Sequence, residues 1–279
     1  MIDIQNLTFG YKRNKLLYKN LNITLDHGSI YGLLGKNGAG KSTLLKNIVG
    51  LLFPIGGSIF VNGFDPKKRQ PEFLQRIYFI PEEVFVPSLT IKRYINLYAP
   101  FYPKFDRKQC FEYLKVLEVA NDQKLTSLSF GQQKKFIIAF SLACNTEILL
   151  LDEPTNGLDI PSKIQFRKLI SSILTDQRTI FISTHQIRDL DSLIDKIIII
   201  DNGELLLSAS ISKVADKLLF KTFKEIPENT GEILYAEDTF RGVSVVTQNK
   251  EGEDTAVNLE HLFNAVTSNP FKVKEIFNS

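Results

Sequence analysis

The chain has 279 residues, of which 43% are hydrophobic, and its 34 basic and 31 acidic side chains leave a formal net charge of +3. This hydrophobic fraction can form a large core, whereas the small net charge argues against a protein that binds nucleic acid through a basic surface. The two cysteines form no CxxC pair and there are only three histidines, so we expect neither a disulfide framework nor a zinc site.

The chain is also expected to stay on one side of a membrane. Its longest purely apolar stretches, such as residues 197–200, have the length of a strand, far below the roughly 18 to 20 residues that a membrane span needs. Residues 1–7 alternate apolar and polar side chains and lack the basic start and apolar centre of a secretion signal. These features predict a cytoplasmic protein.

The first eighty residues predict a sheet. Apolar residues recur at or near every second position, and glycine or proline turns separate the runs. The predicted strands cover residues 2–7, 21–25, 29–34, 59–61 and 77–80. The first two are expected to be half-buried antiparallel strands.

A glycine-rich loop follows the third predicted strand. Residues 35–42 match G-x-x-x-x-G-K-[ST], and helical spacing over residues 43–49 follows directly. Such a loop surrounds phosphate oxygens with backbone N–H groups, and the start of the helix adds positive charge. We expect Lys41 to reach the β- and γ-phosphates of a nucleotide and Ser42 to bind Mg²⁺. The predicted phosphate-binding residues are Gly35, Lys36, Asn37, Gly38, Ala39, Gly40, Lys41, Ser42 and Thr43.

The middle of the chain predicts a helical insert and then a return to alternating strands and helices. Helical spacing is densest over residues 90–128, and we place the whole insert at about 84–145. Alternating strands and helices beyond it favour a mostly parallel sheet covered on both faces. The predicted helices are 130–144, 162–174 and 186–193, and the predicted strands are 148–151, 179–183 and 196–200.

The last part of the chain is expected to be a small α+β appendage. A hairpin turn at residues 201–204 closes the alternating pattern, which then weakens into a basic stretch. Two strands around Leu234 and Val245 and a helix over residues 258–266 are predicted there. We therefore divide the chain into a domain over residues 1–210 and an appendage over residues 211–279.

Two acids end the predicted strand 148–151. The carboxyl edge of a parallel sheet is where ligands bind, so Asp152 is expected to bind the water shell of a metal. Glu153, one residue farther out, could polarise an attacking water as a general base. Such a pair alone is commonly a solvated turn, but the glycine-rich loop favours the catalytic interpretation.

Together these motifs resemble the ATP-binding-cassette (ABC) ATPases. The glycine-rich loop and residues 128–132, 148–154, 157–159 and 183–185 match, in order, the phosphate loop, signature, second phosphate motif, D-loop and switch histidine of that family. The resemblance covers about residues 1–210. It implies an α/β fold of the P-loop NTPase type, with a mostly parallel sheet, an antiparallel β subdomain and a helical insert. It also implies a head-to-tail dimer around two ATP molecules.

The resemblance assigns further roles. Tyr11, 30 residues before Lys41, would stack on adenine, although a tyrosine near a strand can equally be a packing residue. His185 would contact the γ-phosphate and help to hold the attacking water. The residues implied in nucleotide binding across the dimer are Ser129, Gly131, Gln132 and Asp159.

Two positions depart from the family pattern. Glu82 stands where a glutamine usually follows the strand at 77–80, at a position that in the family contacts Mg²⁺ or water and communicates with the membrane subunit. A carboxylate binds Mg²⁺ more strongly but adds negative charge near the γ-phosphate, so its effect on turnover has no predictable sign. Phe130 stands where glycine is more common in the signature, and its ring is expected to face a partner.

The resemblance implies an ATP-hydrolysing subunit that powers transport through a separate membrane-spanning partner, at the cytoplasmic face of the membrane. Residues 258–263 resemble the tail of exporter subunits, although this helix could instead simply pack on its own domain. An ABC-class mechanoenzyme acting on the ribosome or DNA is the alternative, disfavoured by the single cassette, the small net charge and the lack of heptads. A non-hydrolysing ATP sensor is disfavoured by the presence of Glu153.

Overall fold

A computed structural model describes residues 1–12, 14–120, 123–190, 192–225, 232–240 and 242–278. The strands are β1 Ile2–Phe9, β2 Tyr18–Leu25, β3 Ile30–Leu34, β4 Gly56–Val61, β5 Ile77–Ile80, β6 Ile148–Asp152, β7 Thr179–Thr184, β8 Lys196–Asp201, β9 Glu204–Ser210, β10 Leu218–Phe223, β11 Ile233–Thr239 and β12 Gly242–Gln248. The α-helices are α1 Lys41–Ile48, α2 Pro71–Leu74, α3 Ile91–Tyr98, α4 Arg107–Val116, α5 Phe130–Ala143, α6 Ile160–Ser172, α7 Ile211–Lys217, α8 Leu259–Ser268 and α9 Pro270–Asn278. Among these residues, none of the helices has the length and apolar character that a membrane span requires.

A six-stranded sheet forms the centre of the molecule. Its strand order is β5-β6-β7-β3-β8-β9, and every pair is parallel except β8 with β9. Along β6, Leu149 and Leu151 face one hydrophobic core, while Ile148 and Leu150 face the other. The sheet is therefore buried on both faces, as its continuous apolar strands predict.

The antiparallel subdomain has the strand order β2-β1-β4 and packs over α1 on one face of the central sheet. Helices α3, α4 and α5 form the insert on the other face, where Phe136 and Phe140 of α5 pack against Tyr94 of α3. Because the parallel strands β3, β5, β6 and β7 all end at one edge, this edge carries the loops that follow them. It is the edge at which the sequence predicts the site.

The helix predicted at 186–193 is wrong. The chain forms only a short 3₁₀ turn at Ile187–Leu190, because the side chain of Asp189 is bound to Lys163 and Thr155 rather than facing solvent on a helix. Ser192 then takes a left-handed conformation, with φ of 60°, which no α-helix continues through. The remaining predicted helices and strands of the first 210 residues are present, with ends that differ from the prediction by no more than three residues.

The appendage contains more structure than the sequence predicts. Strands β11 and β12 lie at the predicted places, but β10 joins them in a sheet of order β10-β12-β11, and α9 follows α8. The apolar face of α8 packs into the main core through Leu259, Leu262 and Val266. Arg188 also forms an ion pair with Glu260 of α8, at 3.0 Å. The exporter-like segment therefore packs on its own domain.

Candidate functional site

A cavity of 740 Å³ opens at the carboxyl edge of the central sheet. Ten predicted residues line it: Tyr11, Asn37, Gly38, Gly40, Lys41, Ser42, Thr43, Glu82, Glu153 and His185. Four residues that the sequence did not single out also line it: Lys12, Lys15, Leu16 and Leu17. The predicted residues Gly35, Lys36, Ala39 and Asp152 lie in the same glycine-rich loop or at the end of β6, but are not part of this lining in the portion that the structure describes.

The glycine-rich loop connects β3 to α1. Gly40 has φ of 111°, and a side chain there would meet the hydroxyl of Tyr18, which donates a short hydrogen bond to the carbonyl oxygen of Gly40. Only glycine can occupy such a position without strain. Tyr18 is fully buried, so the base of the loop is held from within the antiparallel subdomain. The N-terminal N–H groups of α1 are left facing the cavity, as anion binding requires.

Lys41 lies at the first turn of α1 and is 6% exposed. Its Nζ donates to the carbonyl oxygens of Gly35, at 2.8 Å, and Lys36, at 3.4 Å, and lies 3.9 Å from Oε1 of Glu153. Burial lowers the pKa of this ammonium group, and the carboxylates of Glu153, Asp152 and Glu82 partly offset that effect. The loop therefore presents a desolvated cation that a phosphate group would stabilise.

Tyr11 also lines the cavity. Its hydroxyl lies 2.9 Å from Oγ1 of Thr43, and its ring packs edge-on against Phe9 with centroids 5.2 Å apart. The residue is nevertheless 67% exposed, so much of the ring remains open to the cavity and solvent. Both packing and stacking interpretations are compatible with this placement, but the contact with Thr43 puts the ring within reach of a nucleotide bound to the loop.

Glu153 occupies the centre of a hydrogen-bond network. Oε2 accepts from the hydroxyl of Thr184, at 3.0 Å, and Oε1 accepts from the backbone N–H of His185, also at 3.0 Å. The Nδ1 atom of His185 lies 2.8 Å from the same Oε1. Behind it, the hydroxyl of Ser183 donates to Asp152 at 2.5 Å. The two acids are thus fixed in different directions by the end of β7.

Glu82 lies at the rim of the cavity, in the loop after β5. Its Oε1 accepts a 3.2 Å hydrogen bond from Asn156, which in turn accepts one from Gln186 at 3.2 Å. The side chain is therefore connected to the segment that follows His185. A carboxylate fits this position as well as the family's glutamine does, because its partner here is an amide N–H.

The signature residues do not line this cavity. Ser129 caps α5 by accepting from the backbone N–H of Gln132, at 3.3 Å, and a side chain at Gly131 would meet the carbonyl oxygen of Gly157 at 2.9 Å. Phe130 is 50% exposed and covers Gly157. Within the described part of the chain, the signature thus faces outward rather than toward Lys41.

Asp159, in the D-loop, also lies outside the cavity. It caps α6 by accepting from the backbone N–H of Ser162, at 3.0 Å, and hydrogen bonds with Ser162 lower the pKa of this carboxyl group. The residue is exposed, close to Gly157 and the signature. The structure therefore brings together two groups of predicted residues, one around Lys41 and one around Ser129.

One buried residue of the site was missed. Lys134 is fully buried in α5 and donates to the carbonyl oxygens of Glu153 and Glu82. Its position was detectable, because Lys134 precedes the buried Ile138 and Ser141 by four and seven residues on one helical face. The basic residues Lys12 and Lys15, by contrast, stand in a loop whose sequence carries no such periodicity.

Comparisons with known proteins agree with this geometry. Residues 18–156 match the family model described as ABC transporter. The ABC transporter ATP-binding protein NatA of Bacillus subtilis is 33% identical over 224 residues, which cover 77% of this chain and 91% of that protein. The chain belongs to the ABC transporter ATP-binding proteins.

Other members of the family are similarly related. The bacitracin transport ATP-binding protein BcrA of Bacillus licheniformis is 35% identical over 210 residues, covering 74% of this chain and 68% of that protein. A dimeric ATP-binding cassette solved in a post-hydrolysis state with ADP and Pi superposes with a TM-score of 0.66 at 27% identity, covering 75% of this chain and 98% of that one. The predicted fold class is confirmed, and this ABC protein binds and hydrolyses ATP.

Proposed function

We propose that two nucleotide sites form between two cassettes, each with the loop of Lys41 on one chain and the signature of Ser129 on the other. The observation that carries this proposal is that Ser129 and Gly131 lie outside the cavity lined by Lys41, Glu153 and His185. One chain alone therefore presents the predicted phosphate-loop contacts to a triphosphate, but not those of the signature. The second cassette is either a copy of this chain or a related subunit, and Asp159 would face it beside the signature.

In this arrangement the glycine-rich loop and Lys41 bind the phosphates, and Tyr11 packs against adenine. The donor set of one hydroxyl, Ser42, and two carboxylates, Asp152 and Glu82, fits Mg²⁺, which proteins usually hold through few side chains together with substrate phosphates. When bound, Mg²⁺ would neutralise charge on the phosphate oxygens. Lys12 and Lys15 add positive charge at the rim of the cavity.

Glu153 is the general base of the proposal. Its carboxylate is held by Thr184 and by the backbone of His185, so it can accept a proton from a water placed between it and the γ-phosphate. His185 contacts the same carboxylate through Nδ1, which leaves the far side of its ring for the γ-phosphate or the water. Lys41 and the helix start stabilise negative charge as it moves toward the leaving phosphate.

The proposed partner of the two ATP-hydrolysing cassettes is a membrane-spanning subunit. A groove of 620 Å³ lies beside β5 and the insert, with the apolar residues Leu51, Leu74, Phe79 and Phe101 in its lining. Phe101 and Leu51 are more than half exposed, and Phe85, three residues after Glu82, is 96% exposed. We propose that an amphipathic segment of the membrane subunit occupies this groove, where it would move with the loop of Glu82.

Export is the proposed direction. Relatives of this chain include BcrA, named for bacitracin transport, and a protein of Burkholderia lata named for Nod factor export, which is 32% identical over 211 residues. The segment around α8 resembles exporter tails as well. We propose that the chain works at the cytoplasmic face of the membrane, bound to its partner through the groove.

The direct test is ATP hydrolysis by the purified chain in Mg²⁺, compared with Glu153→Gln. We expect the native protein to turn over ATP and Glu153→Gln to bind ATP, to hydrolyse it at least about a hundredfold more slowly and to accumulate as a dimer. Equal rates in the two proteins would exclude Glu153 as the base, and a monomer in saturating ATP would exclude the composite site. Co-purification with a polytopic membrane protein then tests the partner.

A further inference from the structure

Lys134 is a fully buried lysine between two loops of the site. It lies in the second turn of α5, and its Nζ donates to the main-chain carbonyl oxygen of Glu153 at 2.6 Å and to that of Glu82 at 3.3 Å. The ring of Phe130 lies on another side of it, with the Nζ atom 6.0 Å from the ring centroid. One ammonium group therefore joins the signature helix to the loops after β5 and β6.

Burying a charged ammonium group at this position carries an unfavourable desolvation free energy. Burial lowers the pKa of the Lys134 ammonium group, and the nearby carboxylates of Glu82, Glu153 and Asp152 only partly offset the effect. An uncharged side chain of similar length, such as methionine, would fill the same space without desolvating an ion. Packing alone thus does not explain a lysine here, whereas its two hydrogen bonds to loop backbone do.

The backbone that Lys134 holds is itself unusual. Glu153 has φ of 46°, a left-handed conformation that residues with a side chain seldom adopt. The backbone N–H of Glu153 donates to the carbonyl oxygen of Ser183 at 3.0 Å, and the carbonyl oxygen of Glu153 accepts from Nζ of Lys134. The peptide groups on both sides of its Cα are thus held, and the side chain is directed into the cavity toward His185.

We propose that Lys134 is a positioning residue for ATP hydrolysis, which fixes the backbone of Glu153 and links it to the loop of Glu82. The inference rests on the proposed function, in which Glu153 is the general base and the loop of Glu82 moves with the bound segment of the membrane partner. A shift of that loop changes the distance between the carbonyl oxygen of Glu82 and Nζ of Lys134. It can therefore alter the position of Glu153 through Lys134, independently of any contact with the nucleotide. Lys134 itself is not among the described residues that line the cavity of Lys41.

The test compares Lys134→Met, Lys134→Leu and Lys134→Arg with the native chain. Lys108→Met is the matched control, because Lys108 is exposed on α4 and its side chain lies in solvent. Rates are expressed per ATP-binding chain, measured with a fluorescent ATP analogue, so that partial unfolding cannot imitate a lower kcat. Thermal unfolding of each protein is recorded alongside.

We expect the two uncharged variants to lose roughly tenfold to a hundredfold in kcat, while KM for ATP and the stoichiometry of binding stay within about threefold of native. Lys134→Arg, which keeps the charge and several donors, should retain more activity than Lys134→Met. A residue that only stabilised the fold would lower the fraction of ATP-binding chains and leave kcat per binding chain unchanged.

Native kcat in both uncharged variants, or equal losses in kcat and in ATP binding, would overturn the inference. Glu153→Gln, measured in the same assay, separates this failure from failure of the proposed function. If Glu153→Gln abolishes turnover while Lys134→Met keeps the native kcat, the assignment of Glu153 as general base is supported and the positioning role of Lys134 is excluded. If Glu153→Gln hydrolyses ATP at the native rate, both the role of Glu153 as general base and the role of Lys134 in positioning it are excluded.

Discussion

The Nδ1 atom of His185 lies 2.8 Å from Oε1 of Glu153, and the backbone N–H of His185 donates to the same oxygen at 3.0 Å. One residue thus holds the carboxylate through both its side chain and its main chain. The imidazole side chain is 40% exposed while the glutamate side chain is 6% exposed, so the histidine forms the outer, cavity-facing half of the pair.

Replacing the histidine should therefore impair turnover more than binding. We expect His185→Ala to lower kcat by about a hundredfold, because the carboxylate loses one of its orienting contacts and the water loses a partner, with little change in the affinity for ATP. Steady-state ATPase assays provide the measurement. His27→Ala, at an exposed position outside the cavity, is the control. A large rise in KM with native kcat would mean that His185 serves binding instead.

The outward position of the signature predicts complementation between two inactive chains. If two copies of this chain form the proposed dimer, Lys41→Ala would remove the cation proposed to bind the phosphates and Ser129→Arg would block the proposed signature contact, so each homodimer should be inactive. A mixed dimer has one site with both parts intact, and an equal mixture of freely exchanging chains should recover about a quarter of native activity if the sites act independently. Activity in either variant alone, or a mixture that stays inactive, would contradict a site shared between chains.

Tyr11 allows stacking to be separated from hydrogen bonding. Stacking of a base on an aromatic ring contributes about 1 to 3 kcal/mol, so Tyr11→Ala should weaken ATP binding by about fivefold to a hundredfold. Tyr11→Phe keeps the ring and loses only the contact with Thr43, and should stay within about threefold of native. Binding is best titrated in the Glu153→Gln background, where turnover does not consume the ligand. Equal losses in both variants would assign the effect to the hydroxyl group.

The two buried cysteines are expected to be unreactive while the chain is folded. Both are buried, and burial raises the pKa of Cys110 to about 12 and that of Cys144 also well above its ordinary value. Since the thiolate is the reactive form, neither should react with a thiol reagent near pH 8 while the chain is folded, and both should react in guanidinium chloride. Lys108→Cys supplies an exposed thiol that labels at once. Rapid labelling of the native chain would show that the helical insert opens.

The grouping of ten predicted residues around one cavity was predictable because their motifs dictate local backbone structure. A loop that must place Gly40 at φ of 111° against Tyr18 tolerates only glycine there, so the pattern carries its own structure. The acid pair followed from an apolar strand that ends at Asp152 and Glu153. Both motifs are defined by residues adjacent in the sequence, however, and do not predict contacts between distant segments. The buried Lys134 and the cavity-lining Lys12 were therefore not predicted.

The failures arise where distant contacts decide the outcome. The segment after His185 has helical spacing, but the bonds of Asp189 to Thr155 and Lys163 hold it in a single 3₁₀ turn. Strand β10 contains Lys221 and was interpreted as part of a basic stretch, because the residues of β12 that pair with it lie twenty or more positions farther along the chain. In both cases local pattern was overridden by tertiary structure.

The packing of α8 into the main core limits how the role of the appendage can be studied. Truncation at residue 210 would remove Leu262 and Val266 and uncover the apolar surface that they fill. A shortened chain would therefore aggregate before its transport activity could be assayed. Single substitutions can leave this contact in place. Glu260→Gln, at the ion pair with Arg188, is one that would test whether residues 211–279 influence ATP hydrolysis.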